Sequence, residues 1–204
     1  MKGLFRYDNP VMRALATGVD VFVLNVLFIL TSLPLITLLG NMIALRISVR
    51  QLRAHEGHLY RRYLMACRQN FVLGLKMLGV FLPVLIIGYF SFVWSFNITG
   101  LLSLYSKFSV LLGMTVWSVI VNEMVDYCSR YQSPFKQSLY NAYKIGVFNI
   151  RPVVAGIIVF LVLIQVFNPA GLVTLIYLGS FGGFASLAWL FEIWLAPVYE
   201  KYTA

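Results

Sequence analysis

Residues 152–191 read PVVAGIIVFLVLIQVFNPAGLVTLIYLGSFGGFASLAWLF, forty positions without one charged side chain. A helix crossing the hydrocarbon core of a bilayer needs about 20 apolar residues, so this run is long enough for two crossings. Asn168-Pro169-Ala170-Gly171 puts turn chemistry in its middle, which predicts helices near 152–167 and 170–195. A helix that meets water carries a polar face, and these carry none. The run sets the fold class: an all-α, polytopic helical membrane protein.

Three further uncharged runs lie upstream: Val21–Leu45, Met77–Ser106 and Phe108–Asn122. The first, 25 residues, would be about 38 Å long as one helix at ~1.5 Å per residue, a single tilted crossing near 21–45. In the second, Asn97 to Gly100 reads as a turn, giving crossings near 77–96 and 101–125, with Lys107 close to the outer end of the latter. Five crossings result, in one transmembrane domain over 1–204. Asp8-Asn9-Pro10 reads as a helix start, opening a short amphipathic helix near 10–19. The first apolar run is too long for a cleavable signal peptide and no small-x-small site follows it.

Composition agrees. The 204 residues are 60% hydrophobic and 11% charged, against about 25% charged in soluble domains. The formal net charge of +9 would suit a nucleic-acid binder only if the basic residues shared a soluble module. Here they flank apolar runs, as the positive-inside rule describes, so no nucleic acid is expected and the bilayer is the first partner.

The same rule gives an orientation. Arg46, Arg50, Arg53, Arg61, Arg62, Arg68, Lys76, Arg130, Lys136, Lys144, Arg151 and Lys201 fall on one side of a five-crossing chain; Lys2, Arg6, Arg13 and Lys107 fall on the other. This places the N-terminus outside and the C-terminus in the cytosol. A re-entrant first run, turning at Thr31-Ser32-Leu33-Pro34, would put both ends inside, but 25 residues are too few to cross twice. Tyr60-Arg61-Arg62-Tyr63-Leu64 and Phe135-Lys136-Gln137-Ser138-Leu139 suggest a tandem repeat, 21–96 and 101–167, each copy placing a basic amphipathic cytoplasmic helix between two crossings.

Candidate sites follow from polarity. The first crossing carries Asn25, Thr31, Ser32, Thr37 and Asn41 with Pro34 and Gly40. It reads as a kinked helix that lines a site or docks a partner, or as ordinary packing glue. Gly179 and Gly183 form a GxxxG pair, beside Gly182 and Ser186, which allows close helix approach within this chain or with another copy. Trp189, Trp194 and Tyr199 read as an interfacial belt, with Glu192 among them near the inner surface. Arg61, Arg62 and Arg68, and Lys136 and Lys144, are candidates for anionic lipid or a cytoplasmic partner. His55-Glu56-Gly57-His58 lacks the spacing of a metal motif, and a zinc site needs at least three well-placed ligands. Cys67 and Cys128 fall in segments read as cytosolic, where a structural disulfide is not expected. No crossing holds an ionisable group near its middle, where coupled transporters place theirs. No cofactor or metal is expected, and no catalytic set is visible.

The chain also resembles the YesL-like family of bacterial membrane proteins, a domain of unknown function. The resemblance covers nearly its whole length. It rests on Leu4-Phe5-Arg6-Tyr7-Asp8-Asn9-Pro10-Val11-Met12-Arg13, on Leu24-Asn25-Val26-Leu27 with Ser32-Leu33-Pro34-Leu35-Ile36-Thr37, and on Glu56-Gly57 leading through Arg68-Gln69-Asn70 to Phe71. Family members are often encoded beside carbohydrate ABC importers. The resemblance therefore implies a non-enzymatic accessory protein that assists or regulates such an importer by contacting its permease subunits. It offers no catalytic residues to carry over, and His58 and the density of arginines do not match the family pattern. The alternative is a small-solute permease or channel, acting as a homo-oligomer, with the kinked first crossing lining its path.

Overall fold

In a computed structural model the chain is described over residues 10–54, 58–165 and 169–203. The described residues are helical almost throughout, and five helical stretches are long and apolar enough to cross a membrane. This is an all-α polytopic membrane protein.

The helices are α1 (Pro10–Ser32), α2 (Leu38–Arg53), α3 (Leu59–Trp94), α4 (Leu101–Arg130), α5 (Phe135–Phe148), α6 (Ile150–Gln165), α7 (Pro169–Leu178) and α8 (Phe184–Thr203). A short 3-10 turn, Leu35–Thr37, joins α1 to α2, and a π-type segment, Gly179–Gly183, joins α7 to α8.

The first run departs from the expected single crossing at 21–45. Pro34 is extended (φ −74°, ψ 106°), since proline removes a backbone donor and obstructs the preceding helix. In one unbroken helix Asn25 and Arg46 would stand ~31 Å apart. Instead Asn25 is bonded to Ala185 and Arg46 to Ala188, one turn along the same α8. α1 therefore does not continue α2. It passes over α8, α2 and α3, reaching Tyr63 of α3 through Thr31. The expected short helix near 10–19 is the opening of α1 itself.

α3 and α4 form an antiparallel pair turning at residues 95–100, where Gly100 takes a positive φ of 74° that suits glycine. α3 has 36 residues, about 54 Å, against ~30 Å of hydrocarbon, longer than a crossing requires. The basic helix expected around Arg61 and Arg68 is thus the start of α3 rather than a separate element. The second basic helix, α5, is separate and meets α6 at 98°. Asn149 is extended there (φ −123°, ψ 132°), ahead of Pro152. The two halves of the suggested repeat consequently have different shapes: nothing breaks the helix between Arg68 and Lys76.

Backbones approach most closely where side chains vanish. A methyl on Gly74 of α3 would sit 2.3 Å from the nitrogen of Gly40 on α2. One on Gly156 of α6 would sit 2.4 Å from a methyl of Val119 on α4. In lipid, such contacts give packing its strength. One core packs Ile43, Met77, Met124, Val125, Ala142, Phe191 and Leu195; a second packs Val21, Leu24 and Phe28 of α1 against Ala44, Val49, Tyr63, Ala185 and Ala188.

Candidate functional site: a buried ionic cluster and a clamped helix break

The structure partners the polar residues of the first run with each other and with distant helices. Thr37 donates its hydroxyl to the Thr31 carbonyl at 2.7 Å and to the Pro34 carbonyl at 2.7 Å. Asn41 donates to the hydroxyls of Ser32 (3.2 Å) and Thr37 (3.1 Å). The Thr31 hydroxyl shares a 2.7 Å bond with that of Tyr63. The single Thr37 hydroxyl thus faces one carbonyl on either side of the extended Pro34 bend, the kind of side-chain partner that a helix break uses.

Asn25, fully buried, reaches furthest. Its amide NH2 donates to the Gly179 carbonyl at 2.6 Å, and its amide oxygen accepts from the Ala185 N–H at 3.2 Å. Between those two backbone groups the last helix is broken: Phe181 (φ −85°, ψ 19°) and Gly182 (φ 102°, ψ 5°) leave the helical region. A break frees backbone groups that would otherwise bond along the helix, and one asparagine with both donor and acceptor satisfies one on each side. Gly179 and Gly183, expected to mark a close helix–helix face, belong to this break. A methyl on Gly179 would meet the Phe184 ring at 2.5 Å, and one on Gly183 the Leu178 carbonyl at 2.4 Å. The phenyl rings of Phe28 and Phe184 pack beside it, centroids 5.5 Å apart.

The second assembly lies where α2, α4 and α8 meet. Arg46, Glu123, Asp126 and Glu192 are all buried. Glu192 receives Arg130 at 2.7 Å and Arg50 at 3.2 Å on its two oxygens. Arg130 also reaches Asp126 at 3.3 Å, and its guanidinium lies 4.3 Å from the Tyr199 ring centroid. Tyr199 donates its hydroxyl to Glu123 at 2.9 Å. Arg46 donates to Asn122 (3.0 Å) and to the Ala188 carbonyl (3.3 Å), under the Phe191 ring. Arg50 donates twice to Ser129. Arg46, Arg50 and Arg130 thus face Glu123, Asp126 and Glu192, a formal balance of charge that a buried cluster needs. One oxygen of Asp126 has no hydrogen-bond partner among the described residues.

Counted in turns from the bend at 95–100, Glu123 stands level with the part of α3 near Val72, on the basic side of Lys76. The cluster lies toward the end of the bundle opposite that bend. Ser129 and Arg130 carry it to the wall of a cleft of about 650 Å³ lined also by Gln69, Asn70, Tyr131 and Gln132. Hollows in the opposite half are greasy; one of about 230 Å³ is lined by Tyr89, Phe92, Phe96, Met114 and Phe160.

Several expectations change. Glu192, read as shallow, is 2% exposed, because Arg50 and Arg130 close over it. Tyr199, read as an interfacial residue, is equally buried as a donor to Glu123, whereas Trp189 and Trp194 are half-buried. Arg61, Arg68, Lys136 and Lys144 face outward, and Arg62 is half-buried. They do not converge with the cluster. His58 precedes α3 with a left-handed φ of 61°; His55, Glu56 and Gly57 lie outside the described residues, as do the residues before Pro10 and Asn168. Among the described residues no three His, Cys, Asp or Glu gather as metal ligands. Cys67 and Cys128 are free thiols.

Sequence alone does not assemble this cluster, yet it carries a trace of it. Glu123, Asp126 and Arg130 fall at i, i+3 and i+7, and Arg46 and Arg50 at i and i+4, each set on one helical face.

Comparison with protein-family models, curated proteins and solved structures finds no match.

Proposed function

We propose that this chain is a non-enzymatic membrane accessory protein that assists or regulates a carbohydrate ABC importer by binding its permease subunits. The observation that carries the accessory reading is the state of the polar groups. Most of those inside the bundle are bonded within it, from Asn25 at the helix break to the Arg130–Glu192 pair, with one Asp126 oxygen and the Ser48 hydroxyl among the exceptions. The outward-facing basic residues Arg61, Arg68, Lys136 and Lys144 and the 650 Å³ polar cleft lie at one end. Such an arrangement holds a scaffold rigid and offers a charged surface to a partner. The positive-inside rule supports placing that end in the cytosol. The class of partner comes from the YesL-like resemblance alone.

The test is purification of a tagged chain from its own membranes at native expression in mild detergent. Recovery of permease subunits supports the proposal; a preparation holding the tagged chain and no permease component overturns it. The oligomeric permease reading draws less support, because Thr31, Thr37, Asn41 and Asn25 are all engaged by protein groups.

A further inference from the structure

We propose that the corner between α5 and α6 holds the phosphate of an anionic phospholipid from the surrounding bilayer. This inference is independent of the proposed importer partnership. A hollow of about 140 Å³ is lined there by Asn149, Ile150, Arg151, Pro197, Val198 and Lys201, about the room of four or five waters at ~30 Å³ each, enough for a phosphate and its bridging oxygens. Two cations from different helices, Arg151 of α6 and Lys201 of α8, line it, and among the described residues no carboxylate does. Arg151 spends one terminal nitrogen on the Trp194 carbonyl at 3.2 Å, which fixes the side chain and leaves further N–H groups of its five to donate. Asn149 is held by its amide, which donates to Ile145 and to the Tyr202 hydroxyl. In the first turn of α6, Pro152 has no N–H and the Val153 N–H is bonded to the Asn149 carbonyl at 3.4 Å, so the backbone can add only the N–H groups of Ile150 and Arg151.

The setting selects a lipid over a soluble phosphate. α5 lies at 98° to α6, so if α6 runs through the bilayer, α5 runs along its surface and their corner sits at headgroup depth. Phe148 and Ile150 beside the hollow are 75% and 74% exposed, apolar surface at the height where acyl chains begin. Tyr202, half exposed next to them, has the amphipathic character typical of the interface.

The experiment is native mass spectrometry of the full chain in detergent, titrated with short-chain phosphatidylglycerol, with phosphatidylcholine of the same chains, and with glycerol phosphate as a soluble competitor. Phosphatidylglycerol is expected to be retained in preference to phosphatidylcholine and not displaced by equimolar glycerol phosphate. Lys201→Gln should weaken retention roughly fivefold, and Arg151→Gln with Lys201→Gln roughly 20-fold or more, from the ~1 kcal/mol that each basic side chain contributes near anionic lipid. Lys107→Gln, next to the bend at the opposite end of the bundle, should leave retention unchanged. Because Arg151 also props Trp194, Lys201→Gln alone, at an unaltered unfolding midpoint, keeps the test clean. Equal retention of both lipids, full retention by the double corner variant, an equal loss in Lys107→Gln, or displacement by glycerol phosphate would each overturn the proposal.

Discussion

Asn25 decides more than its size suggests. It is a single buried amide that completes backbone groups on both sides of a helix break 154 residues away. Asn25→Leu removes both bonds, and Asn25→Asp keeps the acceptor for Ala185 but turns a second oxygen toward the Gly179 carbonyl. Both variants should lose about 1–2 kcal/mol, the upper range for interhelical hydrogen bonds in membranes, read as a lowered thermal midpoint in detergent. A wild-type midpoint in Asn25→Asp would show that the clamp contributes nothing. Glu192 should be more sensitive. It is 2% exposed and accepts from two arginines; Glu192→Gln weakens both bonds while Arg130 keeps Asp126 and Arg50 keeps partial solvent, so the loss should be about 1.5–3 kcal/mol, the range for hydrogen bonds to charged groups. Reaction of buried Cys128 with a thiol dye on heating reports the loss. At this scale the sequence was half legible. The polar residues of the first run stand out against an apolar background, but their partners lie in other helices. Periodicity shows which residues share a face without showing what that face meets. The charged cluster escaped for the same reason: Glu123, Asp126 and Glu192 sit at the ends of apolar runs, where charges ordinarily meet headgroups and water.

Among the elements, the helix pairs turn on where glycine stands. α3 offers an internal comparison. At Gly74 a methyl would meet the backbone of Gly40, whereas at Gly79 nothing lies within 4 Å. Gly74→Ala should therefore push α2 from α3 and destabilise the fold, while Gly79→Ala should be neutral or gain up to about 1 kcal/mol from helix propensity. Equal effects of the two substitutions on the unfolding midpoint would contradict the close approach. α3 and α4 were largely legible, since the turn near Asn97–Gly100 and the uncharged stretches around it mark one hairpin. Two breaks were not. Pro34 was read as a kink because one run of 25 residues matched one crossing so well. The Gly179–Gly183 pair reads as a place of close helix approach, and α1 does pack there, but clustered glycines serve a break as well and nothing in the sequence marks it. The pairs that separate these readings are tertiary.

For the whole molecule, the described fold joins its two interrupted runs: α1 lies against the break between α7 and α8, and the ionic cluster ties α2, α4 and α8 at one end. The all-α membrane class was plain from forty uncharged positions, because bilayer thickness imposes a length on sequence. Which broken helix completes which is a matter of side-chain bonds and left no length signature. The most direct test replaces Phe28 and Phe184, whose rings lie 5.5 Å apart, by cysteine in a chain whose Cys67 and Cys128 are serine, and treats native membranes with a short bifunctional thiol reagent. The account predicts an intramolecular link between the two ends of the chain, lost when cysteine is placed instead at Leu30, which is 57% exposed. Absence of any link between positions 28 and 184, with both thiols shown to be reactive after denaturation, would contradict it.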